Sequence, residues 1–232
     1  MSKDPPAQLP LDLGRGPGLS RDELVVTGAN AAAVALVDRW PDWPAPVVVL
    51  AGPAGSGKTH LAAIWTEAAH ALAADSRRIR PEAISAAASG GAVVVDGVEA
   101  GVDETGLFHL INAAREGGGH VLLASRRFPA AWGVRLPDLA SRLKAATIVE
   151  ISEPDDLLLT AVVTKLFADR QVQVEPHVVT YIVNRIERSL STAMNVVERL
   201  DQAALSRKTR ITRALAAEIV GAVDAGQGDL GL

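Results

Sequence analysis

The chain has 232 residues, 48% of them hydrophobic, and a formal net charge of −4. A composition this apolar builds a buried core and excludes general disorder, and the mild acidity argues against binding nucleic acid through overall charge. With no cysteine, disulfides, thiolate zinc sites and a cysteine nucleophile are excluded, and the five histidines are scattered without metal-ligand spacing.

Residues 1–20 read as a tail, in which "QLPLDL" (8–13) lies between Pro- and Gly-rich stretches that break helix and strand alike. No long apolar run follows a basic start, and no stretch is long and apolar enough to span a membrane, so a cytoplasmic protein is expected. A helix is predicted over 29–40, closed by "PDWPAP". "VVVLA" (47–51) is too short and too β-branched for a helix and reads as a buried strand. A helix follows over 59–74, a second buried strand at "AVVVD" (92–96), and a helix over 105–119. In that helix Leu107, Leu110, Ile111 and Ala114 share one face, and a Gly run ends it. "HVLLAS" (120–125) and "TIVEI" (147–151) read as the third and fourth strands. Strands alternating with helices imply an α/β fold with a parallel, helix-covered sheet.

After Pro154 the pattern changes to four helices, at about 155–169, 176–187, 190–206 and 213–222. Leu190, Ala193, Met194, Val197 and Leu200 form a core-packing stripe, and Thr212 reads as the N-cap of the last helix. The expected organisation is a tail (1–20), an α/β domain (21–153), a small all-helical domain (154–222) and a C-terminal tail (223–232).

The motif that carries chemistry is "GPAGSGKT", Gly52, Pro53, Ala54, Gly55, Ser56, Gly57, Lys58 and Thr59, set between a strand and a helix. The spacing G-x-x-x-x-G-K-[ST] in that context is a phosphate loop. Glycines let backbone N–H groups converge on phosphate, and the helix start adds partial positive charge. Lys58 can reach the β- and γ-phosphates, the Thr59 hydroxyl can ligate Mg²⁺, and Asp96, ending the second strand, can hold the Mg²⁺ shell. His60 follows the loop.

A phosphate-loop α/β domain followed by four helices resembles the AAA+ class and, within it, the family of the initiator DnaA and its shortened relative Hda. "LVVTGANAAAVALV" (24–37) resembles the adenine-enclosing segment, with Val25 and Val26 as its apolar wall. "GPAGSGKTHL" is similar to the family's loop through His60 and Leu61, and "LPDLASRL" (136–143) looks like the segment bearing an arginine finger, here Arg142. "QLPLDL" resembles the peptide by which bacterial proteins dock on the DNA polymerase sliding clamp, with Gln8 for a polar pocket, Leu11 and Leu13 for an apolar groove and Leu9 as support.

The chain departs from the family at three places. Gly97 stands where a second acid is usual, with Glu99 two residues on. Arg126 stands where a nucleotide-sensing Asp is usual, and Ser191 where the lid carries an arginine, with Arg188 a turn earlier. The resemblance implies ADP or ATP with Mg²⁺ as cofactors and weak intrinsic ATPase activity. It implies the clamp's β subunit and DnaA as partners, with Arg142 stimulating hydrolysis of DnaA-held ATP and so preventing re-initiation. No helix-turn-helix domain is expected after Leu232, so neither is sequence-specific DNA binding. A homo-oligomer is left open. The alternative readings are a stand-alone phosphate-loop ATPase and a DnaA-type replication factor.

Overall fold

A run of β-branched residues with no polar face is stable as a strand covered on both sides. In the computed structural model, which describes residues 20–228, such runs build one parallel sheet. The first domain runs α1 (Ala31–Asp38), β1 (Val47–Ala51), α2 (Lys58–Ala69), β2 (Leu72–Ala73), α3 (Pro81–Ala88), β3 (Ala92–Val95), α4 (Glu104–Gly117), β4 (His120–Ser125), α5 (Pro137–Lys144) and β5 (Thr147–Glu150). The strand order is β2-β3-β4-β1-β5, with Val47 opposite Val121 and Ala51 opposite Ser125. All pairings are parallel.

Side chains alternate across the sheet as the pleat dictates. Val47, Val49, Val93, Val95, Val121 and Leu123 face a core closed by α3, α4 and α5, where Ala83, Leu107, Leu110, Ile111, Leu139 and Leu143 are buried. Val48, Leu50, Val94, Leu122 and Ala124 face the opposite core, closed by α1 and α2 with Val34, Leu61 and Trp65. Trp43 stacks on Trp65 there, with ring centroids 5.0 Å apart. The result is three layers, helices on both faces of the sheet.

The strands at 47–51 and 120–125 form over the expected residues, but two elements were not foreseen. The helix predicted to reach residue 74 ends at Ala69, because His70 turns left-handed (φ 49°). The next residues form β2, a fifth strand on the sheet edge that pairs Leu72 with Val93 and Ala73 with Val94. α3, whose Pro81 starts it at a favoured position, packs Ala83 and Ala87 against the α4 layer. Gly117 is needed there, since a side chain on it would strike the end of α3, while Gly118 (φ 72°) caps α4.

The second domain comprises α6 (Asp156–Asp169), α7 (Pro176–Val183), α8 (Leu190–Arg207) and α9 (Arg213–Gly228). Asp155 caps α6 by accepting from the Leu158 N–H at 2.7 Å, and Thr212 Oγ1 accepts from the Leu215 N–H at 3.3 Å as expected. α7 stops at Val183 instead of 187, and α9 continues to Gly228 instead of 222. Leu159, Val163, Phe167, Ile182, Ala193, Val197, Leu200 and Ala216 form its separate core. Leu190 and Met194 of the predicted stripe are only half-buried. No helix among the described residues is long and apolar enough to cross a membrane.

Candidate functional site

The phosphate loop leaves the C-terminal end of β1 and is tied at once to β4, since the Gly52 N–H donates to the Ser125 carbonyl at 3.2 Å. Gly55 (φ 69°) and Gly57 (φ 98°) take the left-handed conformation that side-chain-bearing residues avoid. Gly57 is the residue from which α2 starts, so the helix N-terminus opens onto the loop. Pro53 and Ala54 form the outer arc, and Ser56 is buried. The Lys58 ammonium bends back over the loop and donates to the Pro53 carbonyl at 2.5 Å, with Ser56 Oγ at 3.3 Å. Its pKa is pushed down from the ordinary lysine value, first by burial, with Arg126 reinforcing the shift and Asp96 and Glu99 opposing it.

Thr59 Oγ1 donates to Asp96 Oδ2 at 2.9 Å, and the Gly97 N–H donates to Oδ1 at 2.8 Å. A hydroxyl and a carboxylate side by side are hard oxygen donors of the kind Mg²⁺ takes while keeping waters and phosphate oxygens. The residues therefore fit the ion. No group of three or more His, Cys, Asp or Glu that would hold a metal by itself occurs among the described residues. Glu99 does not stand free beside Asp96. It pairs with Arg126 at 3.4 Å, both side chains exposed.

Arg126 sits on a pinned loop. The buried Ser125 Oγ accepts from the Arg127 N–H at 3.1 Å and from Trp132 Nε1 at 2.9 Å, and that indole also reaches the Arg127 carbonyl at 2.9 Å. On the other flank, buried Asn30 accepts from the Thr27 N–H at 2.9 Å and donates to the Val25 carbonyl at 2.8 Å. The Ser152 N–H donates to the Ala29 carbonyl at 3.0 Å, which brings this turn to the end of β5 beside β1. Val25 is half-buried and Val26 is 46% exposed. His60 does not join Lys58 and Asp96. Its Nε2 lies 3.2 Å from the Ser20 carbonyl.

The helical domain closes on the loop through backbone and hydroxyl groups. The Leu190 N–H donates to the Gly55 carbonyl at 2.8 Å, and a side chain on Gly55 would strike Ser189. Ser189 is the N-cap of α8, accepting from the Thr192 N–H at 3.3 Å, and its Oγ lies 2.7 Å from Ser191 Oγ. Arg188 is not turned to the loop but pairs with Asp156 at 3.0 Å. Nothing in residue type marked the Leu190–Gly55 or the Ser125–Trp132 contact, since the first uses only backbone groups.

Arg142 lies apart from this cluster. Leu139 and Leu143 bury the inner face of α5, and the Glu104 carboxylate fixes its start by accepting from the Arg135 and Leu136 N–H groups, the latter at 2.7 Å. Half-buried Arg142 has no carboxylate partner among the described residues. Gln8, Leu9, Leu11 and Leu13 lie outside the described residues.

Residues 160–219 match the family model described as "Hda, lid domain". The fold is similar to domain III of the Thermotoga maritima replication initiation protein DnaA, with a TM-score of 0.74 at 16% identity over 88% of this chain and 96% of that one. It is also similar to AMPPCP-bound DnaA from Aquifex aeolicus, with a TM-score of 0.68 at 18% identity over 80% of this chain and 66% of that one. A curated relative, an uncharacterized protein of Haemophilus influenzae (strain ATCC 51907 / DSM 11121 / KW20 / Rd), is 28% identical over 110 residues, 47% of this chain and 48% of its own length. The chain thus spans about half the length of the curated relative it matches.

Proposed function

We propose that this chain, which its lid match and its fold make an Hda-like, DnaA-related AAA+ protein, is a nucleotide-bound regulator that presents Arg142 to ATP held by DnaA. The observation that carries this reading is the state of Arg142, a guanidinium with no ion-pair partner among the described residues on a helix anchored at its start by Glu104 and along its inner face by Leu139 and Leu143. An arginine delivered in trans meets charge developing on the transferred phosphoryl group, worth roughly 10³–10⁵ in rate in related systems.

The chain's own site is built to bind. Gly52 to Thr59 supply the phosphate cradle, Lys58 its cation, Thr59 and Asp96 the oxygens for Mg²⁺, and Val25 and Val26 an apolar wall for adenine. The AMPPCP of the Aquifex aeolicus DnaA structure supports an adenine nucleotide, ADP or ATP, as the occupant. Bound Mg²⁺ neutralises phosphate charge. Hydrolysis in cis is weak on this reading, because Gly97 offers no carboxylate and Glu99 is paired with Arg126. Gln8, Leu9, Leu11 and Leu13 dock the protein on the sliding clamp, so that DnaA is met beside DNA.

The test is turnover of labelled ATP pre-bound to DnaA, mixed with DNA-loaded clamp with or without this protein. Hydrolysis should rise only when all components are present. No stimulation, together with brisk ATP turnover by this chain alone, would instead identify a stand-alone ATPase.

A further inference from the structure

The net charge of −4 hides a local reversal on the lid. The turn between α8 and α9 reads "SRKTRITR", four cations in Arg207, Lys208, Arg210 and Arg213 interspersed with hydroxyls. Arg185, just past the end of α7, adds a fifth. The Arg185 and Arg213 guanidiniums lie 5.2 and 5.0 Å from the centroid of one ring, that of Tyr181. Two like charges held at a single ring repel each other, and the ring's quadrupole offsets only part of that cost.

Two cations beside this surface are matched to carboxylates, Arg207 to Glu218 and Arg170 to Asp201, and what sets the remainder apart is their clustering in one turn and at one ring. Arg185, Lys208, Arg210 and Arg213 are exposed, and none has a carboxylate within salt-bridge distance among the described residues. Capping the C-terminus of α8 accounts for Arg207 and Lys208, where cations suit the helix dipole. It accounts for neither Arg185, just past the end of α7, nor Arg210 and Arg213 at the opposite end of the turn.

We propose that this lid surface, with Arg185 and Arg213 against the Tyr181 ring and Lys208 and Arg210 on the turn that leads to Arg213, binds the phosphate backbone of duplex DNA without reading its sequence. The chemistry of the turn favours that partner over an acidic protein. Between its cations lie Thr209 and Thr212, exposed hydroxyls suited to phosphate oxygens, whereas Ile211 is buried. A protein partner would call for apolar or aromatic anchors between the charges, whereas the exposed apolar side chain nearest in sequence, Leu205, precedes all four cations of the turn. The Tyr181 ring has guanidiniums against it, which disfavours it as a stacking platform for single-stranded bases. The surface lies on the lid, separate from Arg142 and from the phosphate loop, so this inference stands independently of the proposed regulator role.

The experiment is fluorescence anisotropy of a labelled, mixed-sequence DNA duplex titrated with the full chain across a salt series. The wild type should bind with an affinity that falls steeply as salt rises. The variant carrying Arg185→Gln, Lys208→Gln, Arg210→Gln and Arg213→Gln should bind at least about tenfold more weakly at low salt, and its salt slope should shrink by about 0.9 for each phosphate it no longer neutralises. Lys208→Gln with Arg210→Gln, confined to the exposed turn, serves as the variant least able to disturb folding and should shift affinity and slope in the same direction. Thermal melting and ADP-induced stabilisation should be unchanged in both. Failure of the wild type to bind the duplex at low salt would overturn the proposal, as would equal binding by the variants. Preferential binding of a labelled polyglutamate peptide would overturn it in favour of an acidic protein partner.

Discussion

Replacing Gly55 tests the closure of the lid on the phosphate loop through two separable costs. The residue is left-handed, at φ 69°, which costs an alanine roughly 1–2 kcal/mol. The new methyl group would also meet the side chain and Cα of Ser189, whose own position is fixed by capping α8 and by the Leu190–Gly55 hydrogen bond. Forcing a methyl group into a closed contact of this kind costs roughly 1–3 kcal/mol. Gly55→Ala should therefore destabilise the protein by roughly 2–5 kcal/mol, a fall in melting temperature on the order of 10 °C for a chain of this size. Ser189→Gly removes the obstructing side chain, and Gly in place of a Ser cap costs only a few tenths of a kcal/mol. The double variant should recover the steric part and retain the backbone part, ending roughly 1–2 kcal/mol below wild type. Thermal melts of the four proteins, with and without ADP, give the cycle. A Gly55→Ala protein that melts like wild type, or one that Ser189→Gly fails to rescue, would show that the lid does not bear on the loop at this point.

Lys58→Met should weaken ADP binding, because the side chain can no longer donate a charge-assisted hydrogen bond to phosphate, and should diminish the ADP-induced rise in melting temperature. Without nucleotide the same variant should melt no lower than wild type, since burial already disfavours the charged amine. Arg142→Ala should keep ADP binding and stability while losing stimulation of DnaA-ATP hydrolysis by roughly 10³ or more, and Arg142→Lys should largely fail too, lacking the planar fork. The triple variant Gln8→Ala, Leu11→Ala, Leu13→Ala should lose calorimetric binding to the clamp with an unchanged circular-dichroism spectrum. Trp132→Phe removes the donor to Ser125 and the Arg127 carbonyl and should cost about 1–3 kcal/mol by urea denaturation.

What the sequence reveals depends on how far a signal is carried by residue type. The buried strands at 47–51, 92–95 and 120–125 announce themselves because a valine-rich run covered on both faces has no other stable form. α4 is legible from its stripe, and the glycine-rich phosphate loop from spacing that backbone geometry demands. β2 is not legible, since two residues on an exposed edge carry no pattern and continue an alanine-rich helix without a break in composition. α3, "PEAISAAA", is missed for the same reason, because small residues suffice where α4 approaches closely at Gly117. At the site, Thr59 and Asp96 meet through a hydrogen bond, and Lys58 bends back over its own loop. The pairing of Arg188 with Asp156 and of Arg126 with Glu99 depends on which elements the fold sets side by side, which no local pattern encodes.

The distribution of cations separates what the protein holds from what it offers. Lys58 is buried over its own loop, and the lid meets that loop with a backbone N–H and serine hydroxyls instead of a guanidinium. Arg126 and Arg188, the arginines nearest by sequence to a sensing role, are each matched to a carboxylate. Among the described cations without a salt bridge are half-buried Arg142 on α5 and, on the lid, Arg185, Lys208, Arg210 and Arg213. An unmatched surface cation contributes little to the fold, because water already solvates it, so its removal should leave stability nearly unchanged. The two sets also lie on different domains with no shared partner, so their effects should add. Arg142→Ala combined with the lid variant should therefore show the full loss of each single change: stimulation of DnaA-ATP hydrolysis for the first and salt-sensitive duplex binding for the second. A combined variant that lost no more than one of its parents would mean that both sets of cations serve a single contact.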